Sequence, residues 1–166
     1  FSGKNITYAD VIANLNVLDY EYYFRITAAA MEGNVTSVLL TYNEILNKGF
    51  DGYNFMAGLN NHLRDLLVSR DEATVKLLET SPSIRQRYRE QATGAPLKFI
   101  YEALDIGSQC MLNFRASKNQ RLHVELALLR MSNLSAGTGQ EEVKKKADSS
   151  LTDEEQDFKV APPQRT

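Results

Sequence analysis

Three side chains in this sequence could carry nucleophilic or metal-binding chemistry: Cys110, His62 and His123. Cys110 stands beside Met111 and Leu112, and an apolar setting raises the pKa of a thiol and leaves it a poor nucleophile. Neither histidine has a second ligand four residues away, whereas zinc takes several nitrogen or sulfur ligands. A single cysteine forms no internal disulfide. We therefore predict no catalytic residue and no metal ligand in this chain.

The sequence also contains no acidic pair that indicates catalysis and no phosphate-binding loop. The adjacent acids Asp71 and Glu72 fall where a helix is expected to begin, and the helix dipole stabilises negative charge there. The phosphate-loop pattern GxxxxGK[ST] does not occur. We predict no cofactor-binding residue.

A run of arginines at residues 85–89 could instead make contacts. Arg85 and Arg89 are four residues apart and share one helix face, whereas Arg87 points elsewhere. They form either a solvated face or a contact patch for an acidic partner or a phosphate backbone. The near-neutral charge of the chain favours a protein partner over a phosphate backbone.

The last predicted helix, residues 118–133, has more apolar side chains than one buried face needs. They cover nearly its whole circumference: Leu122, Val124, Leu126, Leu128, Leu129 and Met131. A helix that is apolar all round is buried on all sides, either in its own core or partly against another subunit. We include Leu122, Leu126 and Leu129 in a candidate interface, together with Arg85, Arg89 and His62.

Glu125 stands alone among these apolar neighbours. A buried carboxylate without a partner is costly, so Glu125 needs a cation or hydrogen-bond donor. Arg121, four residues earlier, and a basic residue on another helix are the candidates. We predict that Glu125, Arg121 and Arg130 serve either in a structural ion pair or in a subunit contact.

Capping signals mark the helices that must position these residues. Helix starts are predicted at the Thr7–Asp10 capping box, at Asp19, Asn34, Asp51, Ser81-Pro82 and Pro96, and at the Ser117–Gln120 capping box. Gly33, Gly49 and Gly94 are predicted to end helices. A shorter helix is expected over residues 74–79.

The fold class follows from this pattern. Apolar residues recur at spacings of three and four, and no stretch alternates as a strand would. Short connections make successive helices antiparallel neighbours. We predict an all-α fold, a compact helical bundle of about seven or eight helices followed by a flexible tail.

The 166 residues suit one domain with a tail. We predict a lead-in segment with a short helix over residues 1–18, a helical domain over 19–134 and a disordered linker over 135–166. The linker has few large apolar residues and carries the whole net charge of −2. Because the chain begins at Phe1 rather than with methionine, we expect it to be part of a longer protein.

Composition excludes several classes. Apolar residues make up 43% and charged residues 24%, which is typical of a folded domain and not of a disordered chain. The charge balance argues against nucleic-acid binding by bulk positive charge. No apolar run reaches about 18 residues, so no membrane span is predicted.

Several segments together resemble one family, the gamma/tau subunit of the bacterial DNA polymerase III clamp loader. The strongest likeness is residues 113–131, NFRASKNQRLHVELALLRM, which looks like that family's closing helix with its apolar-Glu-apolar core and Leu-Leu-Arg ending. Further likenesses lie at residues 6–12, 16–20, 46–51 and 62–67. The resemblance covers about residues 5–134 and is specific in combination.

The resemblance implies that the chain is the third, collar domain of such a subunit, following two AAA+ ATPase domains. The collar holds gamma/tau copies in a pentamer with delta and delta-prime subunits, and accessory clamp-loader subunits are further partners. The parent would be an ATPase within the DNA polymerase III holoenzyme, a DNA-directed DNA polymerase, in the bacterial cytoplasm. The chain would meet DNA only indirectly and would not meet a membrane.

The same resemblance implies that the cofactors bind to other domains of the parent protein. ATP, Mg²⁺ and Zn²⁺ would belong to the upstream domains of the parent, and none to this chain. A ring in which each domain contacts its two neighbours head to tail needs two different contact faces on each domain. We expect one on the last helix and its predecessor, and the other on the helix over residues 51–68.

Two other functions remain open from the residues alone. A helical adaptor would bind a partner peptide in an exposed apolar groove, with the tail as a tether, and would be a monomer. A small helical enzyme or ligand-binding bundle would use an internal pocket and the chemistry of Cys110, the histidines or the tyrosines.

Overall fold

The described part of the chain folds as six α-helices; short turns join most of them, and a longer loop over residues 69–81 precedes the fourth. The computed structural model describes Thr7 and residues 18–136. The helices are α1 (Tyr20–Met31), α2 (Val35–Asn47), α3 (Gly52–Val68), α4 (Pro82–Gly94), α5 (Leu97–Asn113) and α6 (120–136). These described residues contain no β-strand. The predicted all-α class is confirmed.

Four predicted N-caps are confirmed by side-chain hydrogen bonds. In each case an oxygen of the capping side chain accepts from a backbone N–H of the first turn, which has no partner inside the helix. The pairs are Asp19 with Glu21, Asn34 with Ser37, Asp51 with Asn54, and Ser81 with Ile84. Pro82 then occupies the first helical position, as expected.

The glycine stops at the ends of α1 and α2 are also confirmed. Gly33 has φ +68° and Gly49 has φ +91°, a backbone region that other residues rarely adopt. Each turn lets the chain reverse within a few residues, so that α1 packs against α2.

Within residues 18–136 there is one α-helix fewer than the sequence predicts. Residues 74–79 form only a short 3-10 turn at Val75–Leu77 rather than an α-helix. The short helix expected from the Thr7–Asp10 box and most of the lead-in segment lie outside the described residues, as does the linker from residue 137 onward. The proposed domain boundaries therefore stay predictions.

The start of α6 differs from the predicted capping box at Ser117. Asn119 Oδ1 accepts the Leu122 N–H at 3.0 Å, so Asn119 is the cap and the helix begins at residue 120. Ser117 Oγ instead donates to the Asn119 carbonyl. Asparagine caps at least as well as serine, so the cap nearer the helix takes the role.

Helix α3 lies at the centre and packs against α1, α4 and α5. Its inner face is fully buried with Phe55, Met56, Leu63 and Leu66. Helix α5 approaches α3 closely at Gly107, where a Cβ atom would overlap Asn60. Within the described residues, no helix is both long and apolar enough to span a membrane.

Helix α6 closes the bundle against α2 and α5. Arg121 contacts Asn43 near the end of α2, and His123 Nε2 donates to the Cys110 carbonyl of α5 at 2.9 Å. At its other end, Ser135 Oγ donates to the Ala30 carbonyl of α1. These contacts fix which side of α6 faces inward.

Candidate subunit-contact surfaces

Helix α6 has a buried face and an exposed apolar face. The buried face packs into the core with Val124, Ala127, Leu128 and Met131. On the other side Leu122 and Leu126, one turn apart, are 46% and 50% exposed, and Leu129 is half-buried. We call Leu122, Leu126 and Leu129 the α6 stripe. The helix is therefore not buried on all sides within its own chain, and contact of this stripe with another subunit stays a prediction.

Arg130 stands at the end of this stripe, four residues after Leu126. Its side chain is exposed and has no hydrogen bond or ion pair with any other described residue. Its guanidinium is therefore available to a carboxylate of another molecule.

Glu125 lies at the edge of the buried face, beside α2. Arg121 Nε lies 3.1 Å from Glu125 Oε1, and Arg121 Nη2 donates to Asn43 Oδ1 at 3.0 Å. Burial, with the nearby Glu125 charge as a smaller cause, raises the pKa of Tyr42 to about 12. Arg121 and Glu125 thus link α6 to α2 in this structure, and their part in a subunit contact is still a prediction.

Arg85 and Arg89 on α4 differ in what their side chains contact. Arg85 is half-buried, and its Nη2 donates to the Leu78 carbonyl in the loop before the helix. Arg89 is half-buried beside a surface hollow that Arg70 and Glu72 also line. Arg85 thus supports the loop, and only Arg89 has its charge directed toward a hollow that another molecule could enter.

Arg87 has an intramolecular role that the sequence did not indicate. Its Nη1 lies 2.6 Å from Glu21 Oε2, and its guanidinium carbon lies 4.3 Å from the centre of the Phe24 ring. Both partners belong to α1, so the arginine joins α4 to α1 through an ion pair and a cation–π contact.

His62 was expected in the candidate interface, but it is a core residue only 2% exposed. Its Nε2 lies 2.8 Å from Gln91 Oε1 and its Nδ1 lies 3.1 Å from the Tyr88 hydroxyl. Gln91 Nε2 donates to the Phe24 carbonyl, so Gln91 Oε1 must accept from His62 Nε2–H and the neutral ring accepts from Tyr88. Burial lowers the pKa of His62 to about 4. His62 therefore cannot contact a partner directly.

Helix α5, which was expected to form one contact face together with α6, has an exposed apolar face of its own. Tyr101 is 58% exposed, and Leu97 and Leu112 are exposed on the same side. We call Leu97, Tyr101 and Leu112 the α5 stripe. Leu97, in the first turn of α5, lies on the side opposite the buried Phe99 and Ala103. The sequence shows part of this stripe, because Leu97 and Tyr101 are four residues apart and therefore share one face of the helix.

Helix α3, which was expected to provide the second contact face, is poorly suited to it. It packs against three other helices, and its exposed side chains are Tyr53, Asn54, Asn61 and Arg64. The apolar surface that the second face would need lies on α5 instead.

The polar atoms of Cys110 and His123 contact other atoms inside the bundle. Cys110 is buried, its Sγ lies 4.0 Å from the His123 carbonyl oxygen, and burial raises the pKa of the thiol. Among residues 18–136 no group of three or more His, Cys, Asp or Glu side chains is placed to hold a metal ion.

A cleft of about 640 Å³ lies between α1 and α3. Aromatic side chains line much of it, among them Tyr23 and Tyr88. Burial raises the pKa of Tyr23 to about 12 and raises that of Tyr88 as well, so both hydroxyls stay protonated at neutral pH. These tyrosines can donate hydrogen bonds but are poor general bases.

Comparison with known proteins identifies the family. The family model for DNA polymerase III subunits gamma and tau, domain III, matches residues 6–146. The chain belongs to this family. A curated relative, DNA polymerase III subunit tau of Bacillus subtilis (strain 168), is 21% identical over 135 residues, which are 81% of this chain. The chain spans 24% of the length of that relative.

The domain III match includes all six helices and both exposed stripes. The gamma/tau resemblance predicted from residues 5–134 is thus confirmed, and the matched region extends somewhat beyond it.

Proposed function

We propose that this chain is the oligomerisation, or collar, domain of a bacterial replicative clamp-loader subunit. In this role it holds gamma/tau copies together with delta and delta-prime subunits, so that the parent ATPase can load the sliding clamp for DNA replication. The chain itself carries no catalysis. It acts in the bacterial cytoplasm and contacts DNA only through the complex.

The observation that carries this proposal is the α6 stripe in a member of the domain III family. Leu122 and Leu126 are about half exposed on a helix whose opposite face is fully packed. A pair of exposed leucines one turn apart, next to an unpaired arginine, offers apolar area and a charge that another protein can cover. Membership of the gamma/tau domain III family supports an assembly role for such a surface.

The chemistry of the described residues supports a non-catalytic role. The thiol of Cys110 is buried, His62 is held neutral in the core, and the buried tyrosines keep their protons. We infer that ATP, Mg²⁺ and Zn²⁺ bind to upstream domains of the parent. On this proposal, the accessory clamp-loader subunits are further partners of the assembled collar.

Co-assembly tests the proposal. The chain is mixed with delta and delta-prime subunits, and the masses of the complexes are measured by light scattering during size-exclusion chromatography. The variant Leu126→Glu places a charge in the α6 stripe. The matched control, Leu77→Glu, changes an exposed leucine on the 3-10 turn.

We expect the wild-type chain and Leu77→Glu to form the complex, and Leu126→Glu to bind at least about tenfold more weakly. Equal assembly by all three chains would show that the α6 stripe is not the contact. A wild-type chain that joins no complex would overturn the collar function and favour the adaptor, whose peptide would then be sought in the cleft between α1 and α3.

A further inference from the structure

The α5 and α6 stripes lie on different faces of the bundle. Cys110 faces α6, because it contacts His123. Tyr101 precedes Cys110 by nine residues, which is about 180° around a helix. The α5 stripe therefore points away from α6, and one copy of the chain cannot cover one stripe with the other.

The first two residues of each stripe, followed by a charged residue one turn further along, have the same sequence spacing. On α5, Leu97, Tyr101 and Asp105 follow one another at intervals of four residues. On α6, Leu122, Leu126 and Arg130 do the same. Two helices that run side by side in the same direction can therefore pair all three levels at once.

The charges at the third level are opposite and both are unpaired. Asp105 and Arg130 are exposed, and neither has an ion pair with another residue of the described chain. The neighbouring charges are already satisfied, since Arg121 pairs with Glu125 and Lys98 lies 4.0 Å from Glu102. The acid beside the α5 stripe thus matches the base beside the α6 stripe.

We propose that α5 of one copy packs parallel to α6 of a second copy of this chain. Leu97 and Tyr101 lie against Leu122 and Leu126 of the second copy, and Asp105 pairs with Arg130. The inference rests on the proposed collar function and adds which two faces meet and in which register.

Like-with-like packing is disfavoured by the same charges. Two α6 stripes packed together would bring an unpaired Arg130 from each copy to an interface with no unpaired acid. Two α5 stripes would do the same with Asp105. Unlike faces satisfy both charges and leave one free α5 stripe and one free α6 stripe on every pair, so further copies can add until a ring closes.

Mixing two blocked chains tests this arrangement. Tyr101→Glu blocks the α5 stripe, and Leu126→Glu blocks the α6 stripe. Each variant alone should be a monomer in sedimentation velocity, whereas an equal mixture should form dimers and nothing larger, because each partner keeps one working face. Unchanged circular dichroism and thermal unfolding verify that the variants fold.

Charge exchange tests the register. Asp105→Arg and Arg130→Asp should each weaken association by about tenfold. The chain carrying both changes should recover most of it, because the pair is restored with its polarity reversed. Recovery is not expected if the two residues lie in separate contacts.

Other outcomes overturn the inference. If Tyr101→Glu associates as the wild type does, α5 is not a contact face; if Leu126→Glu does so, α6 is not. If the wild-type chain is itself a monomer at every concentration, copies of this chain do not pair. Co-assembly with delta and delta-prime would in that case still support the collar function, so the two failures are distinguishable.

Discussion

At the scale of single residues, His62 stays neutral because both ring nitrogens have fixed partners and burial lowers its pKa to about 4. In the unfolded chain a histidine has a pKa of about 6.5. Between these two values the unfolded state binds a proton that the folded state does not, so stability falls as the pH falls through this range.

We predict a loss of about 3 kcal/mol in the free energy of unfolding between pH 6.5 and pH 4 from this residue. Above about pH 7.5 its contribution should be constant. Chemical denaturation at a series of pH values measures the slope.

One variant separates His62 from the other titrating groups. His62→Gln removes the buried imidazole and should flatten the slope in this range, even if the variant is less stable overall. The wild-type chain, measured in the same buffers, gives the reference slope. An unchanged slope in His62→Gln would show that the imidazole is not the group responsible.

The partner of Glu125 was partly predictable. Arg121 is four residues earlier on the same helix, a spacing that the sequence displays directly. The contact of Arg121 with Asn43 was not predictable, because it depends on how α2 and α6 pack. The core position of His62 was missed for the same reason, since its partners Tyr88 and Gln91 are on another helix.

At the scale of helices, the sequence predicts starts and stops well because caps are local. Asp19, Asn34, Asp51 and Ser81 each bond to an N–H two or three residues ahead. The error at α6 arose because Ser117 and Asn119 are both good caps, and only the path of the turn decides between them.

Which side of a helix is buried is less predictable when apolar residues surround it. Leu122 and Leu128 are the same residue type on one helix, yet Leu128 is buried and Leu122 is about half exposed. Periodicity cannot separate them, because the contacts with α2 and α5 set the rotation of α6. The exposed stripes therefore required the structure.

The close approach of α3 and α5 gives a prediction at this scale. A Cβ at Gly107 would overlap Asn60 Oδ1 and lie 2.9 Å from Asn60 Cγ. Alanine is the better helix former by about 1 kcal/mol, but crowding at a packed contact costs about 1–3 kcal/mol. We expect Gly107→Ala to be less stable than the wild type in thermal or chemical unfolding.

Gly94→Ala is the matched control. Gly94 is also helical, as the last residue of α4, but nothing is within 4 Å of a Cβ there and its φ is not positive. This variant should be as stable as the wild type or slightly more so. If Gly107→Ala is equally stable, the two helices have room to separate and the close packing does not constrain them.

At the scale of the whole molecule, the bundle is well packed inside and has two apolar stripes outside. The core accounts for the fold, since the caps, the turns and the buried faces all specify the same six helices. The α5 and α6 stripes are not needed for that core, and they point in different directions. A domain with two unlike faces is suited to a ring and not only to a dimer.

The central claim is that the α6 stripe is an assembly surface, and sedimentation velocity over a wide concentration range tests it most directly. The wild-type chain and Leu77→Glu should associate increasingly as concentration rises, whereas Leu126→Glu should remain a monomer with unchanged thermal unfolding. Association of Leu126→Glu equal to that of the wild type would contradict the account.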